Sequence, residues 1–276
     1  MNPNRTGRRC VPSSALSVPD IDWQAPWLAD WRALGKPIAQ QVAAGCPQAQ
    51  ALNQARDHLP VRFVPQADLP EGQAYEDFIF AHGQVPTREG LHDFFNALCW
   101  MHFPLAKKRL NQLQASEIAR AGVGQERGPV RDAATVFDEN AWLIQPSDAL
   151  WTALTEHRWT EALVDGRAQW AHTRLWAFGH AALEKAVQPY KSITVHLWRV
   201  PQEVGAADLD AWLAQDLSPD KLASKPFSPL PLLGVPGWWP ANEDPAFYCD
   251  ASVFRPRRRT AAPEKPYANS EIGPPA

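Results

Sequence analysis

The stretch Ser192-Ile193-Thr194-Val195-His196-Leu197-Trp198-Arg199-Val200 sets Ile193, Val195 and Leu197 against Thr194, His196 and Trp198, the cleanest period of two in the chain. Successive side chains on such a segment point to opposite faces, which predicts a strand. Upstream the period is helical. Leu91, Phe94, Phe95 and Leu98 share one face of a helix predicted over Arg88 to Phe103, with Pro86-Thr87 supplying its N-cap and Pro104 opening the next helix to about Ala121. Before these, Asp22 to Leu34 reads as a short helix with Trp23, Trp27 and Trp31 facing the core. Ile38 to Leu59 reads as a second helix broken near Gly45-Cys46-Pro47, Val61 to Pro65 as a strand, and Tyr75 to His82 as a short helix or strand.

Further along, Ala133 to Phe137 and Ala141 to Ile144 are β-rich flanks of a hairpin predicted to turn at Asp138-Glu139-Asn140. Ser147 caps a helix to about His157. A strand near Thr173 to Phe178 runs into Gly179-His180 and a helix through Val187, and Asp208 to Leu217 forms one more helix. Helices and strands mix without a regular βαβ rhythm. The expectation is one α+β domain over residues 21–255, with a small, largely antiparallel sheet, Pro-rich connections, and disordered tails at 1–20 and 256–276.

Composition agrees with a folded chain: 45% hydrophobic and 21% charged residues in 276 exclude a disordered, collagenous or coiled-coil protein. The 27 prolines limit helix length, and the 13 tryptophans each bury a large area and need a place for the indole N–H. The longest uncharged stretch lies between Lys225 and Glu243 and is broken by five prolines, so no transmembrane span is expected. No signal-like apolar run follows the basic N-terminus, which makes the cytoplasm the expected compartment. Cys10, Cys46, Cys99 and Cys249 are too far apart for a zinc knuckle or a redox pair. The formal charge is −3, with basic ends and an acidic body, which argues against nucleic acid across the folded surface.

Three polar groups carry the candidate chemistry. On the predicted helix from Arg88, the i, i+4 spacing aligns Arg88, His92 and Asn96 in one file, with Asp93 beside them. Arg131-Asp132 and Asp138-Glu139 cluster carboxylates that could hold a divalent cation. Gly179-His180 and Glu184 sit at a helix start, where the free N–H groups disfavour an imidazolium and leave His180 neutral. Each has a bland counterpart: a buried hydrogen-bond network, ordinary turn acids, and a packed histidine. A further pairing of His92-Asp93 with His58, 34 residues upstream, is a weak metal-phosphohydrolase pattern. No Walker loop, nucleophile elbow, dinucleotide fingerprint or His-Glu-x-x-His occurs. Convergence of the three groups would make a hydrolase-like enzyme. His92, His180 and Glu184 would be its catalytic residues, Arg88, Asn96 and Arg131 would bind an anionic small molecule, and Asp93, Asp132, Asp138 and Glu139 would hold a divalent metal. The alternative is a non-catalytic scaffold whose polar network is structural. Residues 226–254, rich in Pro and Trp, are expected to wrap the domain as a strap, or, if exposed, to bind a protein partner.

Tyr75-Glu76, Val85-Pro-Thr-Arg88, His92-Asp-Phe-Phe-Asn-Ala-Leu98, Phe103-Pro104 with Lys107, Arg131-Asp132 leading to Phe137-Asp-Glu139, Gly179-His180 with Glu184, Leu233-Gly-Val-Pro-Gly-Trp238 and Phe247-Tyr248 through Arg255 follow one another in a specific order. Over roughly residues 60–258 the chain resembles the bacterial domain of unknown function family 3025. The resemblance implies no established activity. Asn140-Ala141 departs from the glycine expected in the predicted hairpin turn.

Overall fold

The computed structural model describes residues 17–56, 58–121 and 128–257. In chain order its elements are α1 (Arg32–Ala43), α2 (Gln48–Ala55), β1 (Arg62–Pro65), α3 (Tyr75–His82), β2 (Gln84–Thr87), α4 (Leu91–His102), α5 (Pro104–Ala121), α6 (Pro129–Asn140), β3 (Ala141–Gln145), α7 (Asp148–Thr155), β4 (Arg174–Ala177), α8 (His180–Val187), β5 (Thr194–Arg199), α9 (Leu209–Asp216), α10 (Pro219–Ala223) and β6 (Ser228–Pro231). The expected α+β class is what forms. A four-stranded sheet has the order β4-β3-β5-β6, with antiparallel β3–β4 and β5–β6 pairs and a parallel β3–β5 pair. A separate two-stranded ribbon pairs β1 with β2 in parallel.

All five residues of β3 are buried, which explains why Ala-Trp-Leu-Ile is a continuous apolar run rather than an alternation. Beside it Val195 and Leu197 of β5 are fully buried. Pro229 and Pro231 lie in β6 at the sheet edge, where a missing N–H costs no ladder bond. Phe137, Phe178 and Trp198 pack together at ring separations of 4.9 and 5.0 Å, and this aromatic knot joins α6, the approach to α8 and the sheet.

Several expectations are corrected. Asp22 to Leu34 is not one helix: Pro26 confines it to a single turn at Pro26–Leu28, and α1 begins at Arg32, although Trp23, Trp27 and Trp31 are buried as the spacing requires. The break near Gly45-Cys46-Pro47 separates α1 from α2, with Gly45 at φ 92°. Ala133 to Phe137 is not a strand and no hairpin turns at Asp138. Pro129 opens α6, and Ala133, Ala134 and Phe137 bury one helical face. The departure at Asn140-Ala141 is thereby accounted for, because Asn140 is the last residue of a helix and Ala141 the first of β3. Ser147 caps α7 as expected, accepting from the Leu150 N–H at 3.2 Å. Of the expected tails, residues 1–16 and 258–276 lie outside the described residues; in the described part of the first, Val18–Asp20 forms a turn with Val18 buried, so the ordered domain begins earlier than expected.

The 226–254 segment packs onto the domain. Leu230, Leu232, Leu233 and Val235 are buried, Asn242 Nδ2 donates to the carbonyls of Leu233 and Val235, and the Tyr248 hydroxyl donates to the Gly234 carbonyl at 3.0 Å. Among the described residues no helix is long and apolar enough to cross a membrane.

Candidate active site

The start of α4 decides where the first polar group lies. Gly90 has φ 129° and ψ 172°, a conformation that residues with a Cβ rarely adopt, so the helix begins there and not at the expected Thr87, which belongs to β2. Arg88 is therefore in the entering turn. Asp93, in the first turn of α4, reaches back to accept from the Arg88 backbone N–H at 2.7 Å and from its guanidinium Nε and NH2 at 3.0 Å each. That pair raises the arginine's already high pKa.

From the same first turn of α4, His92 Nδ1 lies 2.9 Å from Glu184 Oε2 on α8, and His92 Nε2 lies 3.2 Å from His180 Nε2. α8 reaches α4 and α6 closely because Gly179 precedes it. A Cβ on Gly179 would stand 2.5 Å from the Asn140 nitrogen and 2.6 Å from the Glu139 carbonyl oxygen. The two imidazoles sit in different surroundings: the His92 side chain is 41% exposed, that of His180 only 7%. The Glu184 hydrogen bond raises the His92 pKa above its ordinary value against the effect of burial. Burial pushes His180 down to about 4, only partly opposed by Asp138. The two shifts run in opposite directions, so the proton between the rings is favoured on His92, and His180 is neutral at neutral pH. Nδ1 of His180 has no hydrogen-bond partner among the described residues and lies 3.8 Å from Asp138 Oδ2. Facing that carboxylate, Nδ1 carries the single proton of His180, which leaves Nε2 free to accept from His92.

Behind the histidines, Lys107 of α5 is 4% exposed, pairs with Asp138 Oδ1, and donates to Asn96 Oδ1 at 2.8 Å. Asn96 Nδ2 in turn donates to the Tyr75 hydroxyl at 3.0 Å. Burial works to raise the Asp138 pKa, but the Lys107 ammonium and the two imidazoles outweigh it and hold the carboxylate below its ordinary range. Burial also raises Tyr75, keeping it a phenol. The result is one continuous polar chain, Glu184–His92–His180–Asp138–Lys107–Asn96–Tyr75, drawn from α8, α4, α6, α5 and α3. It borders a cleft of about 340 Å³ that is also lined by Gln66, Leu69, Glu76, Arg88, Asp93, Gln114, Thr135 and Glu139.

Of the ten residues expected from sequence, Arg88, His92, Asp93, Asn96, Asp138, Glu139 and His180 line this cleft, and Glu184 joins it through His92. Arg131 and Asp132 do not line it. They occupy the first turn of α6, where Asp132 pairs with Lys225, because the predicted hairpin is a helix and Arg131-Asp132 lies almost two turns from Asp138-Glu139. The expected anion clamp is not assembled, since Arg88 is held by Asp93 and Arg131 is elsewhere. Nor is the expected metal cluster: among the described residues no three His, Cys, Asp or Glu side chains are grouped to hold an ion. Asp93, Asp132 and Asp138 each face a cation of the protein instead. His58 is exposed and away from the cleft.

Sequence reasoning assigned no role to Lys107, Tyr75, Glu76 and Gln114. Lys107 could have been noticed as a lysine four residues from buried Phe103 and three from buried Leu110 on an otherwise apolar helix face. The sheet-side residues Trp142 and Trp198 take no part.

No curated protein and no solved structure matches the chain. A family model described as "Protein of unknown function (DUF3025)" matches residues 61–258, a stretch that contains every residue lining the cleft and excludes α1 and α2. The chain belongs to the DUF3025 family.

Proposed function

We propose that the protein is a hydrolase that works by general acid–base catalysis, with His92 as the proton-transferring residue and His180, Glu184, Asp138 and Lys107 as positioning residues. One observation carries the reading: two imidazoles 3.2 Å apart, one two-fifths exposed on a polar cleft and the other buried, surroundings that favour the proton on the exposed ring. In the reaction the His92 Nε2 proton passes to the leaving atom as the scissile bond breaks. The imidazole left neutral then takes a proton from the attacking water, whose oxygen bonds to the electrophilic centre, so the pair ends the cycle as it began. Glu184 sets the ring orientation from Nδ1, and neutral His180 holds the Nε2 proton aligned until substrate competes for it. Water is the only co-reactant. The chemistry proposed here uses no metal.

The scaffold reading differs at His92: a network serving stability alone gains nothing from leaving this ring exposed on the cleft. A panel of ester, amide and phosphoester substrates, assayed with wild-type protein and His92→Gln, tests the proposal. Turnover of at least one class that falls about 10²- to 10⁴-fold in the variant is expected. Equal rates for the two proteins across the panel would leave the scaffold reading.

A further inference from the structure

Resting on the acid–base reading of this cleft, we infer that its substrate is a small cation, an amine or guanidinium compound that also carries a hydroxyl or amide group. The cleft and its polar chain hold three cationic side chains, Arg88, His92 and Lys107, and each is matched by a carboxylate, Asp93, Glu184 and Asp138 respectively. Two more carboxylates, Glu76 from α3 and Glu139 from α6, line the same cavity, and neither has an ion-pair partner among the described residues. Five carboxylates therefore face three cations, and the surplus faces the space a ligand would fill. An anion placed there would meet two unmatched negative charges and no unengaged guanidinium. A cation would complete the pairing.

Gln114 gives the second, independent observation. This α5 residue is 7% exposed and lines the cleft, and its side-chain amide makes no hydrogen bond to another described residue. An amide that opens onto a cavity from an otherwise buried residue presents a donor and an acceptor to a polar ligand group. The volume of about 340 Å³ is at the small end for ligand sites and suits a compact molecule.

Binding can be followed apart from turnover, by side-chain amide and imidazole NMR signals of the full chain titrated with ethanolamine, glycinamide and inorganic phosphate in a buffer free of other amines. Ethanolamine or glycinamide should move the Gln114 and His92 signals saturably, and Glu76→Gln/Glu139→Gln should weaken that binding about tenfold. Both glutamates are partly exposed, and the single Glu139→Gln variant provides a milder form of the same test. Tighter binding of phosphate at the same signals, amine binding unchanged by the substitutions, or no saturable shift with any probe would each overturn the inference. If His92→Gln still abolishes turnover in those cases, only the substrate class is lost. If amines bind as expected while His92→Gln turns over normally, the acid–base reading is lost and the cation site stands.

Discussion

His92 Nε2 and His180 Nε2 face each other at 3.2 Å, with the two rings at 81° to one another. Two imidazolium ions could not share that contact. It persists because Glu184 favours the charge on His92 and burial removes it from His180. The pair is a proton held between a good base and a poor one.

Replacing Glu184 by Gln should lower the His92 pKa toward its ordinary value and move the alkaline limb of any pH–rate profile down with it, because the proposed acid is the protonated ring. Because the folded pKa is raised, the ion pair's stabilisation is fully present below the ordinary pKa of 6.5 and fades as pH rises through the higher folded value. His92 is 41% exposed, so solvent screens the pair and the loss in the variant should be at most about 1 kcal/mol. Urea denaturation at pH 5.5 and pH 9 checks this, with the larger difference between wild type and variant expected at pH 5.5.

His180 should make the protein acid-sensitive. Its folded pKa of about 4 lies below the ordinary 6.5, so the unfolded chain binds a proton first, and stability falls as pH drops from 6.5 to about 4. The full effect is on the order of 3 kcal/mol for so buried a ring. Melting curves of His180→Asn over the same window should be flatter than those of the wild type.

Lys107→Met should destabilise by about 3 kcal/mol, because it leaves the largely buried Asp138 carboxylate without its ammonium. Adding Asp138→Asn should recover part of the loss. A double-mutant cycle of denaturant midpoints measures the coupling, and strictly additive effects would deny the pair its role.

Gly179→Ala should separate α8 from the end of α6, since the new Cβ meets backbone atoms of Asn140 and Glu139 at 2.5 and 2.6 Å and backbone cannot step aside as a side chain can. A stability loss of roughly 1–3 kcal/mol is expected, and His180 should move away from both Asp138 and His92. Turnover lost beyond the fraction unfolded, measured by activity and circular dichroism on the same sample, is the outcome that identifies this glycine as setting the site.

The site was legible where a residue's role is local. His92, Asn96, His180 and Glu184 sit on amphipathic helices whose spacing fixes their faces, and β5 announced itself by alternation. The segment 133–137 was misleading because Thr135 and Val136 are β-branched, yet the burial of Ala133, Ala134 and Phe137 against the core outweighs that preference. Arg131 and Asp132 were misplaced for the same reason, since a helix carries them away from Asp138. Lys107 and Gln114 could not be assigned from spacing alone, because what singles them out is burial, which belongs to the assembled fold. The mixed pairing of the sheet likewise depends on which strands meet across the 48 residues between β3 and β5, as with Leu143 opposite Trp198.

The central claim is the division of one proton between two touching imidazoles. The most direct test is a pH titration of the histidine side-chain ¹⁵N signals. The account predicts that His92 titrates above 6.5 and that His180 stays neutral, protonated on Nδ1, down to about pH 4. Two histidines titrating together near 6.5 would contradict it.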